Sequence, residues 1–175
     1  MDACLEILDQ EIGLALAGLS AEQAQLRPGG DLARWSVQQI VGHLRLTYGA
    51  TSIAMEARIG RGAPTKARAS LVQRAGQMVV VGWQRFPHGR LAPEAVTVGD
   101  EAAMDGKSLI AGIHAEIARM DGWISAAEGM FGVRCRCVSH MVLGPMRVGQ
   151  WRRFHLVHGR HHLRQIWVVR REFGV

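Results

Sequence analysis

The feature that most constrains the fold is a periodic segment near the C-terminus, residues 151–169, in which polar and apolar residues recur at helical spacing. At about 100° per residue, one narrow face of this helix collects three histidines and two large apolar residues. The apolar residues at its two ends predict that the face points into a hydrophobic core. The face consists of Trp151, His155, His158, His162, Gln165 and Val169.

Two of these histidines, His158 and His162, are four residues apart. This spacing projects two imidazole rings side by side from consecutive turns, and it is how one helix offers two ligands to one metal ion. An H-x-x-x-H pair also arises for structural reasons or by coincidence. The pair alone therefore leaves both interpretations open, and a metal site needs a third ligand from another element.

A second helix has a well-defined start. Ser36 is a favourable N-cap, Gln39 stands three residues later, and Trp35 precedes the cap, which together predict a capping box with a hydrophobic staple. The helix is expected to run to Gly60 or Gly62.

His43 is the candidate third ligand because it lies on the apolar face of this second helix. Three neutral imidazoles bind Zn, Ni or similar metals and leave coordination positions open for water or substrate. A hydrogen-bonded core histidine is the alternative interpretation of His43. The face consists of Ile40, His43, Thr47, Ala50 and Ala54.

Other polar residues of the last helix are candidates for a supporting role. His155 could orient a ligand ring or shuttle a proton, and core packing explains it equally well. Gln165 could hydrogen-bond a ligand ring or cap a polar core. His161 is turned by about 100° from His162 and is expected to face a neighbouring helix or solvent.

The remaining apolar periodicity predicts an all-α fold. Four long amphipathic segments with irregular connections indicate a four-helix bundle, which could include one short extra helix. Residues 1–175 are expected to form a single domain. The connection 86–100 is expected to be an extended loop, and 129–147 an irregular link. The helices are expected at 3–18, from Ser36 to Gly60 or Gly62, at the short segment 69–83, at 107–128 and at 148–172.

Composition favours a cytoplasmic protein with no membrane anchor. No stretch approaches the roughly 18–20 uninterrupted apolar residues that crossing a bilayer needs. The first residues carry acids where a signal peptide has Lys or Arg, and three cysteines are too few for a disulfide framework. The net charge of +6 favours anionic partners, although a basic surface also serves solubility. No helix-turn-helix, zinc-finger or basic-aromatic pattern supports nucleic-acid binding.

Three further signals are weaker. Cys135 and Cys137 form a C-x-C pair that suits a surface strand or loop as well as a redox or metal site. His140 is close enough in sequence to the last helix to approach its histidines. The arginines of the last helix are expected on its solvated side, or one of them near a pocket mouth could hold a carboxylate or phosphate of a substrate. These arginines are Arg152, Arg153, Arg160, Arg164, Arg170 and Arg171.

Two stretches resemble the signatures of the DinB / YfiT-like superfamily, a family of metal-binding four-helix bundles. They are W-S-V-Q-Q-I-V-G-H-L at 35–44 and H-G-R-H-H-L-R-Q-I at 158–166. The resemblance implies one metal ligand from the second helix and two from the fourth, here His43, His158 and His162. It also implies a homodimer and, by analogy with transferases for bacillithiol or mycothiol and with maleylpyruvate isomerase, a low-molecular-weight thiol as a partner.

The expected function is that of a metal-dependent enzyme. A His-bound divalent ion, Zn or Ni, would activate a thiol or a water molecule for attack on a small-molecule substrate, giving a thiol S-transferase-like activity or a hydrolase. The alternative is a non-catalytic, stress-related binding or dimerisation module in which the metal site is structural or vestigial. The two readings differ in whether a coordination position stays open.

Overall fold

The computed structural model describes residues 1–86 and 102–175, and these residues form an all-α fold, as predicted. Four long helices and one short helix are accompanied by a small antiparallel hairpin. The helices are α1 (Ala3–Leu16), α2 (Val37–Gly60), α3 (Leu71–Gln77), α4 (Gly106–Phe131) and α5 (Gln150–Phe173), and the strands are β1 (Arg136–His140) and β2 (Gly144–Arg147).

The start of α2 is the predicted capping box. The Ser36 hydroxyl oxygen accepts the backbone N–H of Gln39 at 3.2 Å, and the Gln39 side-chain oxygen accepts the backbone N–H of Ser36 at 3.1 Å. These two bonds satisfy donors that a helix start leaves unpaired. They fix where α2 begins, and its inward face then includes His43, which is buried.

The long helices enclose a continuous apolar core to which each contributes. Leu8 of α1, Leu44 of α2, Ile113 of α4 and Ile166 of α5 are all fully buried. At Gly159 of α5, an added Cβ atom would overlap the side chain of Leu8, so α1 and α5 approach more closely there than a larger residue allows. None of the described helices is long and apolar enough to cross a membrane.

Two connections differ from the sequence prediction. The link expected at 129–147 contains the β1–β2 hairpin, whose register slips between Arg136 and Val138. The single helix expected at 69–83 is a short helix, α3, that changes to π-helical geometry over Met78–Gly82. The extended loop expected at 86–100 lies outside the described residues, apart from its first residue.

The arginines of α5 also differ from expectation. Arg153, Arg164 and Arg171 are exposed, but the prediction of a solvated position is wrong for Arg152, which is buried. Its guanidinium contacts an aspartate at 2.7 Å, a glutamate at 2.7 Å and a serine hydroxyl at 2.8 Å. A long side chain can be buried when all its donors find acceptors. We refer to Arg152, Asp121, Ser125 and Glu128 as the Arg152 cluster.

Candidate metal centre

Three histidines from two helices converge inside the bundle. The Nε2 atom of His158 lies 3.4 Å from Nε2 of His43 and 3.1 Å from Nε2 of His162. All three side chains are buried, with exposed fractions of 4% for His43, 6% for His158 and 7% for His162. We call His43, His158 and His162 the three-histidine cluster.

The spacing of the cluster fits one metal ion. Two nitrogens that each lie about 2.0–2.1 Å from one tetrahedral zinc ion are separated by about 3.3 Å. The two Nε2–Nε2 distances of 3.4 and 3.1 Å bracket that value, and the ligand atoms of all three residues lie within 4.8 Å of one another. In the part of the chain that the structure describes, no fourth Cys, His, Asp or Glu joins the group.

Burial keeps the imidazoles of His158 and His162 neutral. It lowers the pKa of His162 to about 3, with a further lowering by His43, and it lowers the pKa of His158 well below the ordinary histidine value, with further lowering by His162 and His43. A metal ion binds only the unprotonated nitrogen of histidine. These two histidines therefore present lone pairs at neutral pH without first losing a proton.

Gln165 fixes the orientation of one ring. Its side-chain oxygen lies 2.9 Å from Nδ1 of His162, so the ring donates its Nδ1–H to the amide and keeps the lone pair on Nε2. The sequence marks Gln165 as a candidate for this contact, and the structure brings the two residues together. By contrast, Nδ1 of His158 has no hydrogen-bond partner among residues 1–86 and 102–175.

Trp35 forms one wall of the cluster. Its ring centroid lies 4.9 Å from that of His43 and 6.3 Å from that of His162. The sequence gives Trp35 as the residue before a helix cap and as the first residue of the family-like stretch 35–44, without a role at the cluster. Its position beside the cap of the helix that carries His43 is the signal that could have identified it.

Two phenylalanine rings pack on His158, one from outside the helices and one from the preceding turn of α5. Phe86 lies 5.0 Å from the His158 ring and 4.9 Å from the His161 ring, and Phe154 is stacked on His158 at 5.6 Å with an interplanar angle of 11°. Together with Trp35, these rings surround the cluster with apolar side chains. Nothing in the helical periodicity points to Phe86, because it lies outside the helices.

His155 lies one turn before the cluster and has a different partner. Its Nε2 atom is 3.0 Å from the Thr51 hydroxyl, and its ring packs edge-on against Tyr48 at 5.2 Å. Burial lowers the pKa of His155 to about 3, with a smaller contribution from His140. His155 is thus a neutral core residue joined to α2 by a hydrogen bond, while the proton-shuttle role considered for it stays a prediction.

His140 and the two cysteines lie outside the cluster. Nδ1 of His140 accepts the backbone N–H groups of Val142 and Leu143, each at 3.1 Å, and thereby closes the β1–β2 turn. Burial lowers the pKa of His140 to about 4, which keeps it neutral and able to accept both bonds. Cys135 is half-buried and Cys137 is buried on β1, and both are free thiols.

Comparison with known proteins identifies one family. A family model described as the DinB superfamily matches residues 7–166, which includes all three members of the cluster. Comparisons with curated proteins and with solved structures gave no match.

Proposed function

The chain belongs to the DinB superfamily, and from that premise we propose that it is a metal-dependent enzyme which uses a thiol as the nucleophile. His43, His158 and His162 would hold one divalent ion, Zn or Ni. A divalent ion in such a site supplies Lewis acidity, which lowers the pKa of a coordinated thiol or water molecule towards neutrality. Thiol S-transfer is the proposed reaction class, and hydrolysis is the variant in which water takes the place of the thiol.

The observation that carries this proposal is the meeting of three imidazole nitrogens at metal-ligand spacing with no fourth protein ligand among the described residues. A structural zinc site is normally closed by four protein ligands, whereas a catalytic site has three and an open position. Three neutral ligands leave the full 2+ charge of the ion uncompensated. That charge favours an anionic fourth ligand, and a thiolate is one that zinc accepts readily.

The chain's own residues have separate tasks in this proposal. Gln165 holds the His162 ring with its Nε2 lone pair towards the cluster. Trp35 and Phe86 pack on the ligand rings from two sides and restrict the access of water to them. In so apolar a surround, electrostatic attraction between the site and an anionic nucleophile is stronger than in bulk water.

The test starts from metal analysis of the purified protein, for which we expect about one Zn, Ni or comparable ion per chain. The protein is then loaded with Co²⁺ and titrated with low-molecular-weight thiols. Thiol coordination gives a sulfur-to-metal charge-transfer band, which His43→Ala should abolish. Cys135→Ala and Cys137→Ala are the matched controls, and both should leave the band intact because neither cysteine belongs to the cluster.

The outcomes separate the candidate functions. If no thiol gives a charge-transfer band but the ion still exchanges its bound water, hydrolysis is supported in place of thiol transfer. If the ion exchanges neither water nor thiol, the site is structural, and the protein is better described as a non-catalytic, stress-related module. No uptake of metal on reconstitution would contradict both forms of the enzyme proposal.

Homodimerisation, which the family resemblance implies, is a further part of the proposal. Light scattering on the purified chain should give twice the mass of 19.2 kDa. A monomeric mass at all concentrations tested would contradict the dimer proposal without affecting the metal proposal.

A further inference from the structure

A surface cavity lies beside the three-histidine cluster, between α5 and the loop that precedes α2. Its volume of about 180 Å³ is far above the roughly 15 Å³ that one water molecule needs on the same measure. It therefore has room for a small polar group. Its lining residues are Pro28, Arg34, His161, Arg164, Gln165 and Val168.

The charges of this cavity are positive. Arg34 of the loop and Arg164 of α5 both line it. Within the described ranges, neither guanidinium lies at salt-bridge distance from a carboxylate, whereas Arg152 and Arg160 on the same helix are both paired with acids. The donors of Arg34 and Arg164 are therefore available to an anion from outside the chain.

The one acid on α5, Glu172, already has a hydrogen-bond partner. Both side-chain oxygens of Glu172 accept the backbone N–H of Gly29, at 2.9 and 3.0 Å. This contact holds the Pro28–Gly30 turn against the end of α5. Glu172 thus anchors the turn that contributes Pro28 to the lining and forms no ion pair with Arg34 or Arg164 among the described residues.

The loop that carries Arg34 is held in place by hydrogen bonds. The guanidinium of Arg27 donates to the backbone oxygen of Arg34 at 2.6 Å and to the side-chain oxygen of Gln39 at 3.0 Å. The backbone N–H of Arg34 donates to the Asp31 carbonyl oxygen at 3.0 Å. Binding an anion there therefore costs less ordering of the backbone than binding on a free loop.

Gln165 connects the cavity to the metal centre. Its side-chain oxygen accepts from His162, while the amide NH₂ group of the same side chain has no hydrogen-bond partner among the described residues. That NH₂ group is a further donor for an anion in the cavity. One side chain therefore lies between the bound anion and a ligand ring.

We propose that this cavity binds a carboxylate or phosphate group of the small-molecule substrate, with Arg34 and Arg164 as its charged donors. Guanidinium groups form charge-assisted and often bidentate hydrogen bonds with both kinds of anion. The identity of the rest of the molecule rests on the proposed function, because the reacting part would lie at the three-histidine cluster. The binding of the anion itself does not require a metal ion.

The test measures binding of inorganic phosphate and of acetate by isothermal titration calorimetry at constant ionic strength. Arg164→Gln and Arg34→Gln should each weaken binding at least about tenfold, a loss of about 1.4 kcal/mol. Arg153→Gln and Arg171→Gln are the matched controls, since both arginines are exposed on α5 and neither lines the cavity. The controls should change binding less than about twofold. Whichever anion binds more tightly to the wild type identifies the class of group.

Three results would overturn the anion site. They are no measurable binding of either anion, equal weakening in the control variants, and binding that disappears in the metal-free protein. The last would place the anion on the ion instead of in the cavity. Metal content and the thiol band are measured on the same variants, so a failure of the metal proposal shows itself separately from a failure of the anion site.

Discussion

Helix α5 contributes to two buried polar clusters that differ in whether their hydrogen-bond donors and acceptors are paired within the protein. In the Arg152 cluster, a guanidinium meets two carboxylates and a hydroxyl, and each contact pairs a donor with an acceptor. In the three-histidine cluster, Nε2 of His158 lies 3.4 and 3.1 Å from Nε2 of His43 and His162, and the Gln165 side-chain oxygen accepts the Nδ1–H of His162. The first cluster is complete within the protein, while the second presents lone pairs to a common point.

The difference indicates which buried polar groups serve stability and which serve binding. A buried charge that is paired within the protein needs no ligand, and removing one of its partners lowers the stability of the fold. A group of converging acceptors becomes fully satisfied only when a cation is added. Variants of the two clusters should therefore affect different measurements, and the predictions below test that separation.

The largest effect is expected for a ligand of the three-histidine cluster. His162→Ala should weaken zinc binding by more than about 100-fold, since loss of an outer supporting group alone costs about 10–100-fold. His161→Ala, one residue away, should stay within about threefold because its ring packs on Phe86 and on the edge of His162 but does not belong to the group whose ligand atoms converge. Competition with a chromophoric chelator measures both. Similar losses in the two variants would show that the assigned ligand is wrong.

The Arg152 cluster should give the converse result. Asp121→Ala leaves a buried guanidinium short of one acceptor and should lower the free energy of unfolding by about 3 kcal/mol, with zinc stoichiometry unchanged. Asp9→Ala removes an exposed pair with His114 and should cost less than about 1 kcal/mol. Urea unfolding measures both variants. A loss of zinc in Asp121→Ala without loss of stability would erase the distinction between the clusters.

A smaller effect is expected at Gln165. Gln165→Ala removes the acceptor that orients His162 and should weaken zinc binding by about 10–100-fold. Gln150→Ala is the control, because this side chain accepts a backbone N–H at the start of α5 and lies far from the cluster. An unchanged zinc affinity in Gln165→Ala would mean that the His162 ring is held by packing alone.

The smallest expected effect is on the pH dependence of stability, and it comes from His155. The pKa of His155 is about 3 in the folded protein, below the ordinary value of 6.5, so the unfolded chain binds a proton that the folded chain does not. Its contribution to stability is therefore complete above pH 6.5 and declines as the pH falls from 6.5 towards 3. Between pH 6 and 5, His155→Leu should reduce the slope of unfolding free energy against pH by about 1.4 kcal/mol per unit.

This comparison is made on metal-free protein, which we expect to keep its helical circular dichroism because the bundle has a hydrophobic core of its own. Thr51 keeps its hydrogen bond to the Thr47 carbonyl in the variant, so that hydroxyl is not left unpaired. An identical slope in wild type and His155→Leu would show that His155 titrates in the folded state near its ordinary pKa.

The sequence was sufficient for the four long helices and for the inward faces that carry His43, His158 and His162. A period of 3.6 residues determines which side chains share a face, and apolar neighbours such as Trp151 and Val169 indicate that the face is inward. His158 and His162 could therefore be paired from spacing alone. The choice of His43 as their companion used its apolar face and the resemblance at 35–44, and the structure brings the three together.

What the sequence could not supply depends on contacts between distant segments. The burial of Arg152 follows from acids on α4, and no pattern within α5 reveals them. Phe86 packs on His158 from a segment without helical periodicity. The β1–β2 hairpin is short, and the bonds that close its turn go to a histidine side chain, which local propensity does not predict.

The positions of the three histidines along the chain have a consequence for the kinetics of the proposed metal binding. His158 and His162 belong to one helix and can meet as soon as that helix forms, but His43 is 115 residues from His158. In the proposed site, an ion would therefore be captured early by the pair and held tightly only after α2 has docked, since closing so long a loop is a late event in assembly. Release of the ion from the folded protein would follow the same steps in reverse order. We expect the residence time of the ion to be set by how often α2 and α5 separate, so that metal release reports the opening of the bundle.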